Sequence, residues 1–301
     1  TDAVQSSQVV LLSAPFACGG QALSIARAAH DRGVAVVVDI DEAFACAEAG
    51  SHEACAAILR SADLVTTATA RLHDDVCGLA PEATVQVLAT QLDLSTWSVR
   101  HAFDPGSDRS LTIGLFAGNA QPQDVVRVVK ALMPTIRASE GLLDLSLWTP
   151  DGAGAKEFQK VSRLACDSPF YREYARTMQR STIDVAVLPV SDQSAFAARG
   201  DATLLELAAR RVPVIASALE PFAGTIEPGV TGWLVAGGPD AFARAVQAAV
   251  VNVESRRRVA NAAWSYVTGQ RTWSQHASAW LAAWTQASKR ARSRVELVSA
   301  S

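Results

Sequence analysis

The chain has 301 residues, 49% of them hydrophobic and 19% charged, with a formal net charge of −3. This is the balance of a globular chain of about two domains, without the basic surplus of a nucleic-acid binder. No apolar run approaches the roughly 18–20 residues that cross a bilayer, and the polar start TDAVQSSQ has no signal-peptide pattern.

Short apolar runs then alternate with helical periodicity. VVLLSAP (Val9 to Pro15) reads as a buried strand ended by FACGG. Gln21 to Gly33 carries Leu23, Ile25, Ala26 and Ala29 on a helical pattern and closes on a glycine. VAVVVDID (Val34 to Asp41) is continuous and β-branched, the pattern of a strand buried on both faces. Helix HEACAAILRSA, strand DLVTTAT, helix ARLHDDVCGL and strand TVQVLAT follow. Such alternation with short links predicts right-handed βαβ units and a parallel sheet. Gln91 to Ser110 contains Pro105-Gly106 and little periodicity, and reads as a linker.

The pattern restarts with strand LTIGLFAG (Leu111 to Gly118) and a helix from Pro122 to Ser139, with proline in the first turn where it is tolerated. LLDLSLWT, KVSRLAC, DVAVLPV, VPVIAS and GWLV are further strands, with helices at Phe170 to Arg180, Ala202 to Arg210 and Pro239 to Val251. Ser255 to Lys289 reads as one long helix whose Trp264, Trp273, Trp280 and Trp284 serve packing. KRARSR (Lys289 to Arg294) is a basic run, read as a solvated tail, with a membrane-surface or phosphate contact as the alternative. The fold class is therefore α/β: two Rossmann-like domains in tandem and a C-terminal helix. The expected boundaries are 1–104 for a reduced N-terminal domain, 105–288 for the C-terminal domain with its helix, and 289–301 for the basic tail.

Five scattered cysteines, Cys18, Cys46, Cys55, Cys77 and Cys166, form no C-x-x-C pair, which speaks against zinc or thioredoxin chemistry and suits a reducing compartment. The expected setting is cytoplasmic, and because the chain starts at Thr1, a piece of a longer polypeptide is expected.

Chemistry concentrates between Asp184 and Val235. A strand runs into a polar loop, SDQSAFAARGD, from which the helix ATLLELAARR opens. Free N–H groups and the helix dipole make such an opening a good phosphate site. Gly200 allows close backbone approach, Arg199 can fork two hydrogen bonds to a diphosphate, and Asp201 is placed as the N-cap. Glu206 sits among Leu204, Leu205, Leu207 and Ala208; a carboxylate there needs partners, and a ribose diol would supply two donors. The alternative is an exposed glutamate paired with Arg210 at i+4. Asp39, Asp41 and Glu42 stand at a strand's carboxyl end and read either as site carboxylates or as helix N-caps. His30, His52, His73, His101 and His276 read as surface or packing residues, and no general base stands out. Further on, EPGVTGWLV places Gly229 and Gly232 in a tight turn before a strand, with Thr231 satisfying the turn's backbone.

DVAVLPVSD, LLELAARRVPVIAS and GVTGWLV occur in the order and spacing of D-V-x-V-L-P-S, L-L-E-A-M-A-x-G-x-P-V-I-A-S and G-x-T-G-x-L-V. The chain thereby resembles the group 1, retaining, nucleotide-sugar-dependent glycosyltransferases of the GT-B fold. DQSAFAARGDATLLELAA resembles a subgroup's D-x-x-F-N-x-x-K-S-x-x-K-x-x-E-Y-A-A, and VAVVVDIDEAF, SADLVTTATARLHDDV and VLATQLDLSTWS are weaker matches.

The resemblance implies transfer of a sugar from a nucleotide-sugar donor to a glycan or lipid-linked acceptor, as in polysaccharide biosynthesis. It needs no cofactor or metal and leaves room for a peripheral contact with the inner membrane. It also implies that Glu206 holds the donor ribose and Arg199 the diphosphate. Gly200, Thr203 and the FAGNA loop with Gly118 and Asn119 would lie near the phosphates. Several positions depart from the family. Ala198 stands where a second glutamate is common, Thr203 replaces a lysine, basic residues are missing from GLFAGNAQPQD, and Ala89-Thr90 replaces the crossover P-N. These losses support a second reading, a catalytically impaired binding or scaffold module; a nucleotide-sugar epimerase is a third.

Overall fold

The computed structural model describes residues 7–13, 20–41, 49–97, 109–118, 120–148, 162–163, 171–190 and 199–299. The chain divides into two compact units. The first comprises Thr1–Thr90, Ala198–Gly200 and Ser274–Ser301; the second comprises Gln91–Ala197 and Asp201–Trp273.

The first unit is a parallel sheet in the order β1 (Val9–Ser13), β2 (Ala35–Ile40), β3 (Leu64–Thr67), β4 (Val85–Val87). Helices α1 (Gly20–His30), α2 (Ala49–Ser61) and α3 (Ala70–Leu79) connect the strands in turn. They pack on the face that carries Val36, Val38 and Ile40, as crossovers of one hand between successive neighbours require. The other face, with Ala35, Val37 and Leu64, would be bare. It is covered by Ala283, Ala287 and Ala291 of the last helix, α9 (Trp273–Ser299). Alanines four apart share one side of a helix and let it approach the sheet closely.

The end of α9 is pinned electrostatically. Arg294 Nη1 donates to Asp63 Oδ1 at 2.6 Å and Arg290 Nη1 to the Asp63 carbonyl at 3.0 Å, while Asp63 Oδ2 accepts from the Val36 N–H at 2.9 Å. Burial alone would raise the Asp63 carboxyl, but the His30 imidazole 3.7 Å away and hydrogen bonds from Arg294 and Val36 outweigh it and hold the group below its usual range. The expected solvated tail is therefore a docked helical end. The reason lies in a buried aspartate distant in sequence, which no local pattern announces.

The second unit is a six-stranded parallel sheet in the order β10, β9, β8, β5, β6, β7. Its strands are β5 (Leu111–Phe116), β6 (Leu143–Trp148), β7 (Ser162–Arg163), β8 (Val185–Leu188), β9 (Val214–Ser217) and β10 (Trp233–Val235). Strand order reverses at β5, between β6 and β8, the position where such sheets bind ligands at their carboxyl ends. Helices α4 (Pro122–Ala138) and α7 (Pro239–Val251) cover one face. Helices α5 (Tyr171–Arg180), α6 (Ala202–Ala209) and α8 (Val253–Gln270) cover the other. Asp184 fixes the β5–β8 register: it accepts two bonds from Arg109, at 2.8 and 2.6 Å, and one from the Thr112 N–H at 2.7 Å.

Two expectations about organisation change. The expected boundary at 104/105 falls after Thr90, because Leu92 pairs with Thr272 and Trp97 is fully buried in the second unit's core. The expected single terminal helix is two. The chain breaks at Arg271–Thr272, where Leu92 N–H donates to the Arg271 carbonyl at 2.8 Å and Trp273 N–H to the Leu92 carbonyl at 3.2 Å. Among the described residues no helix is long and apolar enough to cross a membrane.

Candidate functional site

Helix α6 is buried nearly all round, as its composition demands: Leu204, Leu205, Leu207, Ala208 and Ala209 are all in the core. Glu206 goes in with them, at 3% exposure, so the reading of an exposed glutamate paired with Arg210 is corrected. Arg210 instead gives its guanidinium to the Ser181 carbonyl, Nη2 to O at 2.7 Å, and burial pushes its pKa down to about 10.

The partners of Glu206 come from α5. Tyr174 OH donates to Oε2 at 2.9 Å and Tyr171 OH to Oε1 at 3.3 Å. Trp97 Nε1 in turn donates to Tyr171 OH at 2.6 Å, and its ring meets both tyrosines edge-on, with centroids 6.2 and 6.1 Å away. Burial pushes the Glu206 carboxyl up to about 7, against the two tyrosine hydrogen bonds, which pull it down. Burial and the neighbouring carboxylate also raise both phenols, so they remain protonated donors. The site is thus a carboxylate that accepts two hydroxyls at once. Tyr171 and Tyr174 were not singled out from the sequence, although their i, i+3 spacing on an otherwise charged helix was visible.

Asp201 occupies the N-cap position of α6 but makes no side-chain cap. Its carboxylate accepts from Thr225 Oγ1 at 2.7 Å and from Arg271 Nη2 at 2.9 Å, so it ties α6 to the chain break after α8. Thr203 lies half-buried in the first turn of the same helix, and Gly118 follows β5 with open space where a side chain would stand.

Arg199 and Gly200 group with the first unit. Gly200 N–H donates to the Asp41 carbonyl at 3.2 Å, and a Cβ on Gly200 would stand 2.5 Å from Thr90 Oγ1. Asp39, at the end of β2, accepts from Thr66 Oγ1 at 2.5 Å; burial and the nearby Asp41 raise its pKa while that bond opposes them. The structure thus joins Asp41 to Gly200 and gives Glu206 a partner set of its own. Glu42, Asn119, FACG (residues 16–19), residues 191–198, His101, Cys18, Cys46 and Cys166 lie outside the described residues.

The turn in EPGVTGWLV takes the expected form. Gly229 has φ +75, Thr231 Oγ1 accepts from the Glu227 N–H at 2.9 Å, and a Cβ on Gly232 would press on Ile226 and the Val214 carbonyl. His30 faces Asp63 at 3.7 Å and His73 faces Asp74 at 3.1 Å. Among the described residues no group of three or more His, Cys, Asp or Glu is placed to hold a metal.

Two Rossmann-type parallel-sheet units, the second with its strand order reversing at β5, show the α/β fold of the GT-B glycosyltransferases. Residues 173–265, which contain α6 and the turn, match the family model for glycosyl transferases group 1. No curated protein matches the chain. Among solved structures, it is similar to sucrose-phosphate synthase from Thermosynechococcus elongatus (TM-score 0.64, 16% identity, 98% of this chain and 74% of that one). It is also similar to Anabaena Alr3699/HepE in complex with UDP and glucose (TM-score 0.69, 13% identity, 93% and 79%). A glycosyltransferase from Rickettsia africae gives a TM-score of 0.58 at 12% identity, covering 89% and 82%.

Proposed function

We propose that the chain is a glycosyltransferase that moves a sugar from a nucleotide-sugar donor to a glycan or lipid-linked acceptor with retention of configuration. The observation that carries this reading is the coincidence, within residues 173–265, of the family match with a buried carboxylate that binds a pair of hydroxyls. Anabaena HepE, a neighbour in fold, holds UDP and glucose. In this reading Glu206 takes the ribose hydroxyls of the donor, and Arg199, Gly200, Thr203, Gly118 and Asn119 serve its diphosphate. Asp39, Asp41 and Glu42 serve the acceptor. Departing phosphate charge is met by oriented N–H groups and a guanidinium, and the reading calls for no metal or cofactor. It carries with it a cytoplasmic setting in polysaccharide biosynthesis, with the exposed Lys289 and Arg292 of α9 as the surface for a peripheral membrane contact.

The test is a panel of nucleotide sugars incubated with the purified chain and glycan or lipid-linked acceptors, with product anomers resolved by NMR. Transfer with the donor's anomeric configuration kept is the expected outcome. A second reading, a binding module without turnover, is favoured by Thr203 in place of a lysine and by the absence of basic residues from Gly114 to Asp124. Nucleotide binding without transfer or donor hydrolysis would select it.

A further inference from the structure

Glu206 already has what a ribose would offer it. A vicinal diol presents two hydroxyl donors to the two oxygens of a carboxylate, and Tyr171 and Tyr174 present the same two donors from successive turns of α5. With Glu206 at 3% exposure, a ligand hydroxyl reaches it only by taking the place of one of them. The two tyrosines are not equivalent. Tyr174 is half-buried and bonds at 2.9 Å, whereas Tyr171 is 51% exposed, sits at the first residue of α5 and bonds at 3.3 Å. Tyr171 also keeps a second partner: Trp97 Nε1, fully buried, donates to its hydroxyl at 2.6 Å.

We propose that Tyr171 is a displaceable occupant of the ribose site, an internal competitor whose release from Glu206 accompanies nucleotide binding and sets its affinity. The proposal rests on the reading of Glu206 as the ribose carboxylate and adds a residue to it. On binding, one ribose hydroxyl replaces the Tyr171 hydroxyl on Oε1, Tyr174 stays on Oε2, and the Tyr171 ring moves toward solvent. Removing the competing hydroxyl therefore tightens the binding of ribonucleotides and leaves that of their dideoxy forms, which lack the ribose hydroxyl, unchanged. The expected gain is about three- to tenfold, the scale of one net hydrogen bond.

The chain has three tyrosines, Tyr171, Tyr174 and Tyr266, which makes 3-fluorotyrosine labelling of the full chain readable by fluorine NMR. UDP, ADP and GDP are titrated, each beside its 2′,3′-dideoxy counterpart, with affinities measured by calorimetry on wild type, Tyr171→Phe, Tyr171→Ala and Glu206→Gln. The expected result is a shift of the Tyr171 resonance toward its denatured position with a ribonucleotide, no movement of Tyr266, and tighter ribonucleotide binding by Tyr171→Phe. A ribonucleotide that binds in preference to its dideoxy form while Tyr171 stays still, or Tyr171 variants that bind equally or more weakly, overturns the proposal and leaves the ribose role of Glu206 standing. Equal affinity for ribo and dideoxy forms, unchanged in Glu206→Gln, removes the ribose role itself, and the proposal with it. Absence of binding by all three nucleotides to wild type and both Tyr171 variants overturns it as well. Where a variant fails to fold, the labelled wild-type spectrum still shows whether the Tyr171 ring moves.

Discussion

At the scale of single residues, a carboxyl inside an apolar helix has a measurable signature. In the folded chain Glu206 releases its proton near pH 7, against a reference value of 4.5. Between those values the folded state binds more protons than the unfolded one. The stabilisation is therefore complete below about 4.5 and lost as the pH rises through 7, on the order of 3 kcal/mol in all. The groups that face it are Tyr171 and Tyr174, with Asp93 acting on Tyr171 and Arg210 on Tyr174. Denaturant melts at pH 5 and pH 8 should show wild type losing stability that Glu206→Gln keeps; parallel losses in both would refute the assignment. Gly200 gives a second case. A methyl group there meets Thr90 Oγ1 at 2.5 Å and Ala68 Cβ at 3.4 Å, so Gly200→Ala is expected to cost about 1–3 kcal/mol. Part of that loss should return in the double variant with Thr90→Ala, as melts of the two single and one double variant would reveal. The sequence marked both positions as special. It could not name the neighbours, because Thr90 and the two tyrosines come from segments far along the chain.

At the scale of elements, α9 shows what a linear reading misses. Trp280 and Trp284 were legible as packing residues and do meet edge-on at 5.9 Å, whereas Trp273, also read as packing, is 42% exposed. The surface that docks on the first sheet, however, is alanine, which carries little pattern, and its anchor is one buried aspartate. Asp63→Ala leaves the Arg294 guanidinium and the Val36 N–H without their acceptor and is expected to destabilise the first unit by about 1–3 kcal/mol. Hydrogen exchange should quicken in the α9 segment from Arg290 onward and at the start of β2; unchanged protection there would show that the alanine contact alone holds the helix. Because the Asp63 carboxyl sits below its usual range, its contribution is present above about pH 3.8 and fades as the pH falls below that. Glu206 and Asp63 thus push stability in opposite directions with pH.

At the scale of the molecule, the alternation of strand and helix was readable almost throughout, since strands of a parallel sheet are buried on both faces and read as unbroken β-branched runs. The division into units was not readable, because Leu92 and Trp97 follow the crossover without periodicity, yet pack in the second core. A nucleoside diphosphate held by Glu206 at a hundred times its Kd should stabilise the second unit by about 2.7 kcal/mol, seen as a shift in its calorimetric transition.

The first unit also uses both early and late parts of the chain, and this bears on its biosynthesis. β4 ends at Val87 and α9 begins at Trp273. At ribosomal speed of roughly 5–20 residues per second, the intervening segment takes on the order of 10–40 s to appear. Through that interval the face of Ala35, Val37 and Leu64 waits uncovered, while the second unit, continuous in sequence but for Ala198–Gly200, has already emerged. The earlier-made sheet is therefore the later one to be finished, and until α9 is made the nascent chain is most exposed to aggregation at that face.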